Sequence, residues 1–222
     1  MPHHTIRIWD LPTRLFHWLL AACIVGLVVT AKVGGNAMVW HFRLGYVVLA
    51  LVVFRLVWGV IGGRWSRFAS FVPTPGRLLG YLRGDTRPQD KAGHNPLGAL
   101  SVLALLGVTA AQVSSGLFTD DEIAFAGPLT RFVSGELVSQ FTTYHKAIGQ
   151  YLLLGLVALH LLAIAFYAVV KKERLVGPML EGDKQLEASV EPSRDGVAQR
   201  GLALAVALAC AALAWWVSSL GA

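Results

Sequence analysis

The stretch YHKAIGQYLLLGLVALH, residues 144–160, is the part of the chain that decides the fold. It lies in an apolar run from about residue 141 to 170, which is long enough to cross a bilayer. His145 and His160 are fifteen residues apart, so on an α-helix they are separated by about 22 Å along the axis and about 60° around it. A histidine inside a membrane span is costly without a partner, which makes it a functional candidate. Two on one side of one helix predict two stacked cofactors.

The composition is that of an integral membrane protein. Of 222 residues, 55% are hydrophobic and only 14% are charged, which excludes an ordinary soluble domain. The net charge of +6 comes mainly from basic residues between apolar runs. Charge placed in this way orients a membrane protein and does not indicate nucleic-acid binding. Cys23 and Cys210 lie in the middle of two apolar runs, so neither a disulfide framework nor a zinc site is predicted.

Five apolar runs predict five transmembrane helices. The expected fold is an all-α integral membrane protein, with a four-helix transmembrane bundle followed by a fifth, C-terminal transmembrane helix. The predicted domains are a four-helix core over residues 1–175, a cytoplasmic linker over 176–200 and the C-terminal helix over 201–222. The predicted spans cover approximately residues 15–31, 39–61, 96–118, 141–170 and 202–220.

The basic residues predict the orientation of these spans. The N-terminal segment, the loop 62–95 and the linker 171–200 carry two, six and six of the 19 Lys and Arg residues. An even number of spans separates these segments, so they share one side of the membrane. The positive-inside rule assigns that side to the cytoplasm. The N-terminus is then cytoplasmic, and the C-terminus is on the opposite side after five spans.

This orientation sorts four histidines into two levels. His17 lies near the cytoplasmic end of the first span, and His160 reaches a similar depth on the fourth. His41 and His145 both lie within a turn or two of the outer surface. Haem iron takes axial ligands on two opposite faces, and imidazoles from facing helices provide them. The pattern predicts two haems with bis-imidazole ligation, which leaves no open coordination site and favours electron transfer.

Other residues near these levels have two interpretations. A buried guanidinium needs an anion, so Arg55 is expected to pair with a propionate of the inner haem, or else to extend to the inner membrane interface. Arg43 and Lys146 flank the outer histidines and have the same two interpretations for the outer haem. Glycines near the ligands give a flat porphyrin room to pack. They are Gly45, Gly149 and Gly155.

Four segments resemble the bacterial cytochrome b561 family, which includes the b-type cytochrome subunits of nickel-iron hydrogenases. The resemblance extends over about residues 5–180 and implies a four-helix core with two b haems. It also implies pairing of His17 with His160 and of His41 with His145. The fifth apolar run departs from the four-helix pattern of the family. The segments are RIWDLPTRLFHW (7–18), HFRLGYVVLALVVFRLVWG (41–59), GHNPLG (93–98) and YHKAIGQYLLLGLVALH (144–160).

The expected function is therefore that of a diheme b-type cytochrome of the bacterial inner membrane. It would be an electron carrier or a quinone-linked oxidoreductase subunit between the quinone pool and a periplasmic one-electron partner. A c-type cytochrome is the first choice of partner, because the acidic run 120–122 in an outer loop would attract a basic protein. The resemblance also allows a superoxide-to-quinone oxidoreductase, or the membrane anchor of a hydrogenase or dehydrogenase.

Two hypotheses from other classes are weaker. A metal or proton transporter would use the histidines as a relay, but proton-coupled transport normally places carboxylates inside the membrane. None of the five runs has an Asp or Glu away from its ends. A purely structural anchor leaves the paired histidines without a role.

Overall fold

A computed structural model describes residues 4–221, and most of them are helical. Five helical segments among these residues are long and apolar enough to cross a membrane: Leu11–Val33, Gly35–Ile61, Pro96–Gly116, Gly135–Val169 and Val197–Ser219. The prediction of a helical membrane protein is confirmed. In chain order the strands and α-helices are β1 (His4–Arg7), α1 (Leu11–Val33), α2 (Met38–Ile61), α3 (Phe68–Phe71), α4 (Pro75–Leu82), α5 (Pro88–Ala92), α6 (Pro96–Gly116), α7 (Gly135–Thr143), α8 (Gln150–Val169), α9 (Val176–Glu181), β2 (Asp183–Leu186) and α10 (Val197–Ser219).

The chain forms two compact units. Unit 1 contains the described residues of Met1–Phe16, Arg55–Ala104 and Ala158–Leu204. Unit 2 contains the described residues of His17–Phe54, Leu105–Val157 and Ala205–Ala222.

Unit 1 contains a short antiparallel ribbon that the sequence analysis did not predict. Strand β1 pairs with β2, with His4 opposite Leu186 and Arg7 opposite Asp183. A small hydrophobic core covers one side of the ribbon, formed by Ile6, Ile8, Trp9, Trp65, Ala92 and Leu186. The segment expected as a linker, residues 176–200, therefore contains α9 and β2 and packs against the N-terminus.

The three basic segments contact one another within unit 1. The ribbon joins the N-terminal segment to the linker. The loop 62–95 joins the same group, because Trp65 Nε1 donates to the Glu191 carbonyl at 2.9 Å. The three segments that hold most of the basic residues are thus packed together in one unit.

Asp10 is the hydrogen-bonding centre of unit 1. Its side chain is fully buried, and it caps α1 by accepting the Thr13 backbone N–H at 2.9 Å. It also accepts the Ser66 hydroxyl at 2.7 Å and the Gly63 backbone N–H at 3.1 Å. Trp58 Nε1, on α2, donates to both carboxylate oxygens at 3.3 Å. One carboxylate thus links the start of α1 to the end of α2, and α1 begins four residues earlier than predicted.

Unit 2 is held by close helix contacts and by the folded loop between α6 and α7. The link between α1 and α2 is a tight turn in which Gly34 and Gly35 have φ of 68° and 52°, values that favour glycine. Further along the two helices, a Cβ on Gly26 of α1 would lie 2.7 Å from Leu44 Cδ1 of α2. Phe118 and Phe141 stack with ring centroids 4.8 Å apart, and this contact joins the loop to α7.

Candidate haem-binding site

His41 of α2 and His145 meet within unit 2. Their ring centroids are 6.2 Å apart and the ring planes are inclined at 86°. A metal bonded to one nitrogen of each imidazole at about 2 Å would lie about 3 Å from each centroid, so two opposed ligands have centroids about 6 Å apart. The observed separation fits a single iron between the two rings.

Hydrogen bonds indicate which nitrogen of each ring keeps its lone pair. His41 Nδ1 lies 3.0 Å from the Leu27 carbonyl oxygen, and His145 Nδ1 lies 2.9 Å from the Gln112 carbonyl oxygen. A carbonyl only accepts, so each Nδ1 carries the hydrogen and each Nε2 keeps its lone pair. Ligating histidines typically have this arrangement, since the bond at the second nitrogen fixes both tautomer and ring orientation.

The turn that carries His145 is irregular. Residues Tyr144–Gly149 form a π-helical turn between α7 and α8. Such turns are uncommon and often occur at functional sites, because the extra residue redirects a side chain. The ring of His145 then lies against Gly116 of α6, where a Cβ would lie only 2.9 Å from His145 Cε1. The regular α-helical geometry assumed for residues 144–160 therefore does not hold at its first turn.

A cavity of about 520 Å³ contains both histidines, a size within the usual range for cofactor pockets. Its walls are mainly apolar side chains from α1, α2, α6 and α8. Gly45 lines it with no protein atom within 4 Å of the position of a Cβ, so this wall has room for a flat group. Lys32 and Lys146 also line the cavity, whereas Arg43 lies over the Trp40 ring at 4.9 Å. Lys32 is thus a further cation, besides Lys146, on the cavity wall.

The comparison with known proteins agrees with this geometry. The family model described as prokaryotic cytochrome b561 matches residues 8–182. The chain belongs to this family. It is accordingly a multi-pass membrane cytochrome of the b type, which binds haem b and has a role in electron transfer.

Relatives of this cytochrome b561 are named as hydrogenase subunits. The probable Ni/Fe-hydrogenase B-type cytochrome subunit of Azotobacter chroococcum mcd 1 is 25% identical over 215 residues, covering 80% of this chain and 87% of that protein. The corresponding subunit of Cupriavidus necator is 22% identical over 208 residues, covering 79% and 85%. The probable Ni/Fe-hydrogenase 1 B-type cytochrome subunit of Escherichia coli K12 is 24% identical over 135 residues, covering 49% and 57%. No solved structure matches the chain significantly.

A substitution at Gly116 tests whether haem binding depends on the position of the His145 ring. We expect Gly116→Ala to displace the ring, because the new methyl would lie 2.9 Å from His145 Cε1. Haem content should fall by up to one haem per chain, measured as a pyridine haemochrome on purified protein. Gly107→Ala is the matched control on the same helix, since a Cβ there meets no atom within 4 Å. Equal haem content in the two variants would contradict the placement of His145 against Gly116.

The other predicted site residues are distributed over both units. His17 belongs to unit 2 and is packed edge-on against Trp18, with ring centroids 4.9 Å apart. His160 belongs to unit 1 and is half-buried on α8. The pairing of these two histidines stays a prediction.

Arg55 is buried in unit 1, with only 4% of its surface exposed. Its guanidinium lies over the Phe68 ring at 4.8 Å, and among residues 4–221 its NH1 has no hydrogen-bond partner. Asp10 is the nearby opposite charge. A buried cation with an unused donor fits an anionic group such as a haem propionate.

His94 has its own surroundings in unit 1. Its ring lies between Trp9 and Phe71, with ring centroids 4.7 Å away on each side. Next to it, Asn95 Nδ2 donates to the Tyr167 hydroxyl at 2.7 Å and thereby joins the entry of α6 to α8. His94 is thus a packed residue of the loop that enters α6.

Sequence reasoning missed the residues on α6 that support His145. Gln112, Ser115 and Gly116 are ordinary residues of a membrane helix, and α6 carries no histidine that would draw attention to it. A signal was present, since a run of polar and small residues at the end of an apolar span is a common place for helix contacts.

Proposed function

We propose that this cytochrome holds two haems b and transfers electrons between a redox protein on the outer side of the membrane and the quinone pool. The observation that carries the proposal is the pair formed by His41 and His145, whose centroids are 6.2 Å apart. Their Nδ1 atoms are both engaged by backbone carbonyls, so both Nε2 atoms are available to one iron.

The residues of the chain have separate tasks in this function. Each haem, when bound, supplies a one-electron carrier. His41 and His145 would hold the iron of one haem, and with both imidazoles bound no position would be left for a substrate. The apolar walls of the cavity exclude water, and Lys32 and Lys146 would provide cations for the propionates. This arrangement suits electron transfer and disfavours chemistry at the iron.

The inner haem is proposed to lie at the level of His17 and His160. We assign its ligands as His17 and His160 from their predicted depth, with Arg55 as the partner of a propionate. The unpaired NH1 of Arg55 supports the last assignment. The predicted division into a four-helix haem core (1–175), a linker (176–200) and a C-terminal helix (201–222) belongs to the same proposal.

The orientation is also proposed. The three segments that hold most of the basic residues contact one another in unit 1. We assign their side to the cytoplasm by the positive-inside rule. The protein is then an inner-membrane protein with a cytoplasmic N-terminus and a periplasmic C-terminus, and His41 and His145 lie near the periplasm.

Two outer partners are consistent with this arrangement. The names of the relatives favour a hydrogenase as electron donor. A basic c-type cytochrome is the second candidate, because Asp120 and Asp121 line the same cavity as the outer histidines. Reduction of the purified cytochrome by each candidate, measured at low and high salt, distinguishes the two partners. The reaction that depends on attraction to the acidic loop is the one that salt should weaken strongly.

The haem content of purified protein tests the function directly. We expect two haems b per chain by the pyridine haemochrome assay, with reduced-minus-oxidised spectra typical of six-coordinate iron. Protein that contains zinc or copper and has no Soret band, even when made with ample haem, would support the transporter hypothesis and overturn the proposal. A content of one haem per chain would support the outer site and argue against the inner site.

Gly45 offers a test that separates haem loss from damage to the fold. Gly45→Leu is expected to abolish binding of the outer haem. The new side chain would extend from the cavity wall into the space beside Gly45, where a Cβ has no contact within 4 Å. Haem content and thermal unfolding are measured together. Gly107→Leu is the control, since Gly107 is exposed and equally open. Full haem content in Gly45→Leu would show that the porphyrin lies elsewhere.

A further inference from the structure

The carbonyl that supports His145 has a second donor. Gln112 O accepts His145 Nδ1–H at 2.9 Å and also accepts the Ser115 hydroxyl at 2.9 Å. Ser115 is only 3% exposed, so water does not compete for these groups. The hydroxyl oxygen itself lies 3.3 Å from His145 Nδ1, a longer distance than that to the carbonyl. The carbonyl is therefore the main acceptor, and the hydroxyl shares it.

The carbonyl that supports His41 has the same arrangement on α1. Leu27 O accepts His41 Nδ1–H at 3.0 Å and the Thr30 hydroxyl at 3.2 Å. Thr30 also donates to Gly26 O at 2.7 Å, so its hydroxyl hydrogen is directed mainly at that second carbonyl. In both helices the hydroxyl belongs to the residue three positions after the shared carbonyl. The hydroxyl therefore competes more strongly with the imidazole for the shared carbonyl at His145 than at His41.

We propose that Ser115 and Thr30 are positioning residues that raise the midpoint potential of the outer haem by weakening the hydrogen bond between each ligand histidine and its carbonyl. The inference rests on the proposed function, because it requires a haem between these two rings. Neither hydroxyl contacts the iron, and both act through a backbone oxygen.

The physical basis is the competition of two donors for one oxygen. A carbonyl that accepts a hydroxyl pulls less strongly on the Nδ1–H of the imidazole. The ring then has less imidazolate character and is a weaker donor to iron. A weaker ligand stabilises ferric iron less, so the midpoint potential is higher. Removing the hydroxyl leaves the whole carbonyl to the imidazole and should lower the potential.

The test is a redox titration of the purified holoprotein, with the two haems resolved by potential. We expect Ser115→Ala to shift the outer haem to lower potential and Thr30→Val to shift it less, in the order of their distances to the shared carbonyls. The inner haem should not move. Because each hydroxyl acts through a different histidine, the double variant should show about the sum of the two shifts. Thr30→Ser keeps the hydroxyl and should restore the wild-type value.

Ser218→Ala is the matched control. Ser218 makes the same kind of bond to a carbonyl of its own helix, from Oγ to Trp215 O at 2.6 Å, and does not line the haem cavity. It should leave both potentials unchanged. Two haems in the wild type with no shift in Ser115→Ala, or with a shift to higher potential, would overturn this inference and leave the proposed function intact. Wild-type protein without an outer haem would instead overturn the proposed function.

Discussion

Replacing His41 or His145 by alanine is expected to remove the same haem and to leave the other haem in place. In the proposed site both imidazoles would bind one iron, so each variant would lose one of its two ligands, and a single imidazole retains haem poorly in a site built for two. Haem content should fall from two to about one per chain in both variants, measured as pyridine haemochrome. In a redox titration the surviving haem should have the same potential in the two proteins.

The control for this experiment is His94→Ala. His94 is also a half-buried histidine, but it lies between Trp9 and Phe71 in unit 1. We expect His94→Ala to keep both haems. A general effect of replacing a histidine is thereby distinguished from the loss of a ligand. His17→Ala and His160→Ala should each remove the other haem. If His17→Ala and His145→Ala instead lose the same haem, the assignment of the pairs is wrong.

The membrane helices were predictable from the sequence because they depend on residue type. About twenty consecutive apolar residues indicate a span, and a histidine within one is conspicuous. The start of α1 lies earlier than predicted because Asp10 caps the helix through the Thr13 backbone N–H, a local signal of a helix start. The contacts of Asp10 with Trp58, Gly63 and Ser66 could not be predicted, because these residues come from far along the chain.

The parts that could not be predicted depend on contacts between distant residues. Strands β1 and β2 have four residues each and pair across most of the chain, so no local sequence pattern predicts them. The π-helical turn at Tyr144–Gly149 is an adjustment of a helix to its neighbours, and its sequence looks like that of any α-helix. The orientation of His145 follows from that turn together with Gly116 and Gln112. The residue types thus indicate candidate histidines, and the packing determines how the ring of His145 is oriented.

Asp10→Ala is expected to be among the most destabilising single substitutions in unit 1. The carboxylate is fully buried and accepts hydrogen bonds from Thr13, Trp58, Gly63 and Ser66. Alanine leaves these donors without their acceptor, and the cap of α1 is lost. The expected cost is about 3–5 kcal/mol, because buried donors without partners cost about 1–3 kcal/mol each and some find substitutes. The thermal midpoint in detergent should fall by about 10 °C.

The positive charge of nearby Arg55 adds an electrostatic cost to the loss of the Asp10 hydrogen bonds. Arg55 is buried, and Asp10 is the opposite charge that favours its charged form, so Asp10→Ala also leaves a cation in apolar surroundings. If that charge matters, Asp10→Ala combined with Arg55→Met should be more stable than the sum of the two single effects predicts. Asp85→Ala is the control, since the Asp85 side chain is 59% exposed and should change the midpoint little. Equal midpoints for Asp10→Ala and Asp85→Ala would show that the buried carboxylate does not hold α1 and α2 together.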